Sequence, residues 1–174
     1  QGGHAYWAHV GDSRLCHFRQ GALLTQTRDH SKVQYLVDQG LLSLAEVGAH
    51  PDRNKVYSCL GGTVEPVIDL STRALLRDGD ILLLCTDGLW GPLPSEEIAT
   101  WLASKPILKA TPEMMREAER RAGTDGDNLS AIVVRWGPET RVDEPAPTIT
   151  ETLELGEFAT QLDRTLSLAD RKNM

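Results

Sequence analysis

Three aspartates stand where a hard divalent cation could be held. Asp87 closes the run Ile81-Leu82-Leu83-Leu84-Cys85-Thr86-Asp87-Gly88-Leu89-Trp90. Five apolar residues read as a buried strand, and a carboxylate and a glycine follow at its tip. A rigid element holds the carboxylate there, and Gly88 permits a sharp turn or a close approach. Asp12, in Val10-Gly11-Asp12-Ser13-Arg14, and Asp127, in Gly126-Asp127-Asn128, have comparable settings. All-oxygen ligands of this kind suit Mg²⁺ or Mn²⁺, which keep several waters. Such metals lower the pKa of bound water and stabilise charge on a phosphoryl group, so no protein nucleophile is required. The chain carries no nucleophile-elbow serine and no reactive-cysteine signature.

Ordinary structural readings stand beside these. Asp-Gly and Gly-Asp pairs are common turn chemistry, and Asp78 and Asp80 are read as turn residues. Asp125-Gly126-Asp127-Asn128 lacks the ligand spacing and distal Glu of a calcium loop, which leaves an unrelated calcium-binding domain poorly supported. His30 and His50 are read as cap or loop histidines. Arg14 is open between a phosphate ligand and a salt bridge. Trp90, Trp101 and Trp136 are read as core anchors.

The elements that must position these groups are legible in outline. Residues 5–10 and 15–18 read as strands around the Gly11-Asp12-Ser13 corner, with a tight turn at Gln20-Gly21. A helix follows Asp29-His30-Ser31 and ends at Gly40. Ser43-Leu44-Ala45-Glu46 has capping-box spacing for a short helix, which His50-Pro51 stops. Residues 65–74 read as a strand, and residues 81–85 as the next. Helices are expected after the cap Ser95 and from Thr111-Pro112 toward Gly123, followed by a strand over residues 131–136. Strands and helices come in groups without strict alternation, which favours an α+β fold with antiparallel sheets.

The chain has 174 residues and a formal net charge of -7. The acidic balance argues against nucleic acid as a partner. No apolar run approaches a membrane span and no signal-peptide pattern opens the chain. Cys16, Cys59 and Cys85 are scattered, and are read as reduced core cysteines of a cytoplasmic protein. The first residue is Gln1 rather than Met, so a processed chain or a piece of a longer one is expected. Residues 1–136 are read as the domain. Residues 137–174 open with a Pro-rich charged linker and continue as a possible amphipathic helix over 152–168, through Leu155, Phe158, Leu162 and Leu166. Glu151, Glu154, Glu157 and Asp163 make that helix acidic, unlike a membrane-surface helix.

The ordered set of motifs is more specific than any one of them. Val10-Gly11-Asp12-Ser13-Arg14, Thr27-Arg28-Asp29-His30-Ser31, His50-Pro51-Asp52-Arg53-Asn54, Leu60-Gly61-Gly62, the Gly79–Trp90 run and Gly126-Asp127-Asn128-Leu129-Ser130-Ala131 occur in that order. Together they resemble the metal-dependent serine/threonine protein phosphatases of the PPM family, protein phosphatase 2C type, and Leu89-Trp90-Gly91-Pro92-Leu93 is similar to the bacterial branch. The resemblance covers about residues 4–136. It implies two packed antiparallel β-sheets flanked by helices, an αββα sandwich, here incomplete at the N-terminus. It also implies that Asp87 and Asp127 hold a binuclear Mn²⁺ or Mg²⁺ centre, that Asp12 serves a further, weaker metal site, and that Asn128 orients Asp127. Residues 31–54 match the flap beside the active site.

The family's Asp-Gly-x-Gly-Gly-His motif, with its bridging aspartate, and the phosphate-binding arginine ahead of it do not occur in these 174 residues. Gly2-Gly3-His4 is read as coincidence. The catalytic residues beyond the metal ligands are therefore unknown. The expected function is dephosphorylation of phosphoserine and phosphothreonine in proteins by a metal-activated water, this chain being the C-terminal majority of the domain. The expected partners are phosphorylated proteins and a cognate serine/threonine kinase pathway, with no nucleic acid and no membrane. The alternative is a non-catalytic binding or regulatory module on the same scaffold.

Overall fold

The computed structural model describes residues 3–137. The expected linker and amphipathic helix beyond residue 137 lie outside the described residues. The elements in chain order are β1 (His4–Ala5), β2 (Ala8–His9), β3 (Arg14–Arg19), β4 (Ala22–Gln26), α1 (Lys32–Asp38), β5 (Asp69–Leu70), β6 (Ala74–Leu75), β7 (Ile81–Cys85), α2 (Asp87–Trp90), α3 (Ser95–Ser104), α4 (Ile107–Ala122) and β8 (Ala131–Arg135). Single 3₁₀ turns lie at Val47–Ala49 and Gly123–Asp125. The architecture is α+β and every described strand pair is antiparallel.

The main sheet has the order β4-β3-β7-β8. The β3–β4 hairpin turns at Gln20 and Gly21, whose φ angles of 51° and 77° suit a two-residue hairpin turn. Side chains alternate across the sheet. Cys16 and Phe18 of β3, and Ile81, Leu83 and Cys85 of β7, form one buried face. Against it pack Ile98, Ala99 and Leu102 of α3, and Ala110, Met114 and Ala118 of α4. The fourfold spacing in α4 puts its three residues on one stripe. The opposite sheet face carries Leu84, Ile132 and Val134, all exposed.

Several local expectations are corrected. The strand expected over residues 65–74 is only two short pieces, β5 and β6, joined to β2 and β1 respectively. Thr111-Pro112 does not start a helix: α4 begins at Ile107 behind Pro106, and Pro112 lies inside it. Pro106, at φ −54°, already has the preset angle for a helix start. Ser95 is the first residue of α3 rather than its cap, which is Pro94. The Ser43–Glu46 capping box forms, with the Ser43 N–H donating to Glu46 Oε2 at 2.9 Å, but it leads into a 3₁₀ turn. Cys16 and Cys85 are buried free thiols, whereas Cys59 is exposed and not a core residue. Burial pushes the Cys16 and Cys85 thiols up to about 11 and about 12.

Asp80 closes the turn read for it, its N–H donating to the Arg77 carbonyl at 3.0 Å, but it is more than a turn residue. It is fully buried and carries four hydrogen bonds. Arg19 donates Nε to Oδ1 at 2.8 Å and Nη2 to Oδ2 at 2.7 Å. His17 Nε2 lies 2.8 Å from Oδ2, and the Arg77 N–H donates to it at 2.9 Å. The Arg19 guanidinium, above all, holds this carboxyl far below the usual carboxylate range. The network ties β3 to the turn that launches β7. Asp80→Ala would remove the carboxylate from His17 and leave Arg19 only the Leu75 carbonyl. It should destabilise the chain by about 3 kcal/mol in urea denaturation; a loss within error of zero would mean that the network is dispensable.

Candidate metal centre

The register of the main sheet decides where the three aspartates emerge. Arg14 of β3 lies opposite Cys85 of β7, and Cys85 lies opposite Ala131 of β8. Asp12 comes two residues before Arg14. Asp87 comes two residues after Cys85, and Asp127 four before Ala131. Because β7 runs against both neighbours, all three leave the sheet at the same end. They line one cleft of about 780 Å³. Its other walls include Val33, Leu44, Val47 and Arg53 from residues 31–54, so that segment stands beside the aspartates as expected of a flap.

The loop bearing Asp127 is clamped to the end of β7. The Thr86 N–H donates to the Ser130 carbonyl at 3.1 Å. Thr86 Oγ1 donates to the Asn128 carbonyl at 2.8 Å and accepts from the Ser130 N–H at 3.0 Å. Gly88 makes this approach possible: a Cβ there would stand 2.6 Å from the Asn128 carbonyl oxygen. Asp87 is the first residue of α2, and its Oδ1 accepts from the Gly88 N–H at 2.9 Å. Asp127 Oδ1 accepts from the Asn128 N–H at 2.6 Å. The contact of Asn128 with Asp127 is through its backbone N–H, and no side-chain bond between them is seen among the described residues.

Burial, then the facing charges of Asp12 and Asp127, push the Asp87 carboxyl above its ordinary pKa. Burial and two facing negative charges make ionisation of Asp87 costly, and a divalent cation in the cleft would relieve that cost. The donor set is all oxygen, which fits Mn²⁺ or Mg²⁺.

One feature escaped the sequence. The Trp90 indole N–H donates to the Asp12 carbonyl at 3.0 Å. The Arg14 guanidinium lies 3.7 Å from the centre of the Trp90 ring and forms two bonds with Asp29, at 2.9 and 2.8 Å. Trp90 is therefore a half-buried bridge between α2 and the Asp12 corner as well as a core contact. Arg14 is a salt-bridge residue whose Nε and Nη2 are engaged by Asp29. The only signal was the placement of Trp90 three residues after Asp87, on the same short helix. His30 and His50 do satisfy backbone groups: Nδ1 of His30 accepts from the Gly11 N–H, and Nδ1 of His50 from the Asp52 N–H.

No protein-family model matches the chain. Individual relatives do. A protein phosphatase 2C-type protein of Streptococcus pyogenes is 37% identical over 131 residues, covering 74% of this chain and 52% of the relative. The protein phosphatase PhpP of Streptococcus pneumoniae is 34% identical over 136 residues, covering 78% and 54%. The chain thus spans about half the length of these curated relatives. Among solved structures, the serine/threonine phosphatase of Streptococcus agalactiae superposes with a TM-score of 0.68 at 36% identity, covering 78% of this chain and 55% of that one. The catalytic domain of the phosphatase PstP, solved with two manganese ions, gives 0.61 at 33% identity, covering 76% and 54%. By fold and sequence, about three quarters of the chain is similar to bacterial serine/threonine phosphatases of the protein phosphatase 2C type, the PPM family.

Gly88→Ala tests the close approach between the two ligand loops. The added methyl group should cost about 1–3 kcal/mol and shrink the rise in Tm that Mn²⁺ produces. An undiminished Mn²⁺-induced rise would show that the loops hold their ligands together without this contact.

Proposed function

We propose that the complete protein is a metal-dependent phosphoserine/phosphothreonine protein phosphatase, and that residues 1–136 are the C-terminal majority of its catalytic domain. Residues 137–174 are a linker and tail outside it. The observation that carries this reading is the convergence of Asp12, Asp87 and Asp127 on one cleft beside the flap. A binding module on the same scaffold would have no use for three carboxylates held at mutual electrostatic cost.

Asp87 and Asp127 would hold the binuclear Mn²⁺ or Mg²⁺ pair, and Asp12 a further, weaker ion. When bound, the cations supply an activated water and neutralise charge on the phosphoryl group. The chain's own residues do the rest. The Gly88 and Asn128 N–H groups fix the two carboxylates. Arg14 is committed to Asp29, so Arg53 is the cation in the described cleft wall that is free to meet an anionic substrate. Val33, Leu44 and Val47 give the flap side an apolar wall for the substrate chain. The exposed apolar row Leu84, Ile132 and Val134 suits cover by the second sheet of a complete domain.

The setting we infer is the cytoplasm, opposite a serine/threonine kinase pathway. Among the described residues no helix is long and apolar enough to cross a membrane.

Phosphopeptide hydrolysis with Mn²⁺ is the test. Residues 1–174 alone should turn over weakly or not at all, since the bridging ligand is absent from them. The complete protein should be active, and Asp87→Asn or Asp127→Asn should each reduce kcat by orders of magnitude. A complete protein that binds phosphopeptide without hydrolysing it would favour the binding module.

A further inference from the structure

A second group of possible ligands lies outside the aspartate cleft. Among the described residues His9, His30 and Asp69 offer one ligand atom each, all within 4.8 Å of one another. The fold brings them together by three constraints. The β2–β5 register sets His9 directly opposite Asp69. The His30 N–H donates to the Gly11 carbonyl at 2.8 Å, which fixes His30 beside the end of β2. The two imidazole rings meet edge to face with centroids 4.8 Å apart, and Tyr57 stacks on His30 from the other side.

His9 is the anomaly. It is more than nine-tenths buried, yet among the described residues neither ring nitrogen makes a well-formed hydrogen bond; the Ser13 backbone comes near without closing one. A buried polar group ordinarily finds a partner, and leaving both nitrogens without one is costly. His30 is equally buried, and its Nε2 lies 3.1 Å from Asp69 Oδ2. Asp69 is half-exposed and gives the group an opening to solvent.

We propose that His9, His30 and Asp69 bind a transition-metal cation of the zinc type, separately from the oxygen-ligand centre. Two imidazoles and one carboxylate, with a fourth position left for water, match the preference of Zn²⁺ and Co²⁺. Mg²⁺ and Mn²⁺ favour the all-oxygen set at Asp12, Asp87 and Asp127. The proton on His30 can be followed. Without the cation, Nδ1 accepts from the Gly11 N–H at 3.3 Å, so Nε2 carries the ring proton and donates it to Asp69. A cation on Nε2 requires the other neutral tautomer, with the proton on Nδ1. The ring keeps one proton, Asp69 exchanges a hydrogen bond for a metal bond, and Gly11 loses its side-chain acceptor. Gly11 precedes Asp12, so occupation of this site loosens the corner that carries Asp12.

Co²⁺ titration of residues 1–174 in excess Mg²⁺ tests the site through the visible absorption of four-coordinate Co²⁺. The band should appear at one equivalent and vanish on adding Zn²⁺. Asp69→Ala and His9→Gln should each weaken Co²⁺ binding by at least about tenfold, while Asp87→Asn and Asp127→Asn leave the band in place. Asp69 is on the surface, so Asp69→Ala should keep the wild-type circular dichroism even if His9→Gln perturbs the fold. Absence of a four-coordinate band overturns the proposal. So does a band that survives Asp69→Ala, or one lost in Asp87→Asn, which would locate the ion in the aspartate cleft. None of these readings depends on phosphatase activity.

Discussion

The site depends on β7 being paired on both sides. A central strand fixes two registers at once, and in a period-2 structure a slip of one residue on either side would turn every side chain to the wrong face. Here such a slip would also move a carboxylate. Cys85 stands level with Arg14 on one flank and Ala131 on the other, and the positions of the aspartate-bearing corners follow from that alignment. The apolar content of Ile81–Cys85 is thus both a packing feature and a positioning device. Burial of Ile81, Leu83 and Cys85 against α3 and α4 selects the register, and the register places the chemistry at one end.

Clustering three carboxylates works against folding, and local contacts offset the cost. The helix that begins at Asp87 offers N–H groups to that carboxylate, and the Asn128 N–H does the same for Asp127. Arg14 contributes positive charge near the cluster, but its guanidinium is held between Asp29 and the Trp90 ring. It therefore braces the Asp12 corner while its charge is directed at Asp29. A cation drawn into the cleft meets carboxylates with spare charge, which is the condition for binding a hydrated hard metal.

How much could be read from the chain beforehand depended on the range of the interaction. The β7 strand, the Gln20-Gly21 hairpin and the Ser31 start of α1 are local patterns, and each formed, although β7 is buried on one face only and exposes Leu84. Asp12, Asp87 and Asp127 could be nominated because each sits beside a glycine or a strand tip, and the structure brings them to one cleft. Residues 65–74 misled because Val67 and Ile68 look like strand residues, yet both are exposed and no strand pairs with them. Asp80 misled for the opposite reason. Its Asp78-Gly79-Asp80 setting is turn-like, but its partners Arg19 and His17 lie some sixty residues away. The Trp90–Asp12 bond spans 78 residues, and no local spacing announces it.

The chain uses the same residue pair in two ways. His17 and Asp80 are buried together with Arg19, every carboxylate oxygen is engaged, and the network closes on itself. His30 and Asp69 make the same kind of contact, but Asp69 reaches solvent, and His9 stands alongside with no well-formed hydrogen bond among the described residues. A closed network has no capacity for a ligand, since every donor and acceptor is already committed. An open one has ligand atoms within 4.8 Å of one another and a carboxylate that reaches water. The difference arises from where the aspartate sits. Asp80 precedes a central strand and is sealed by it, whereas Asp69 lies on a two-residue strand at the margin of the fold. Sheet position, more than residue type, separates the histidine-aspartate pair that stabilises the fold from the one that can take on chemistry.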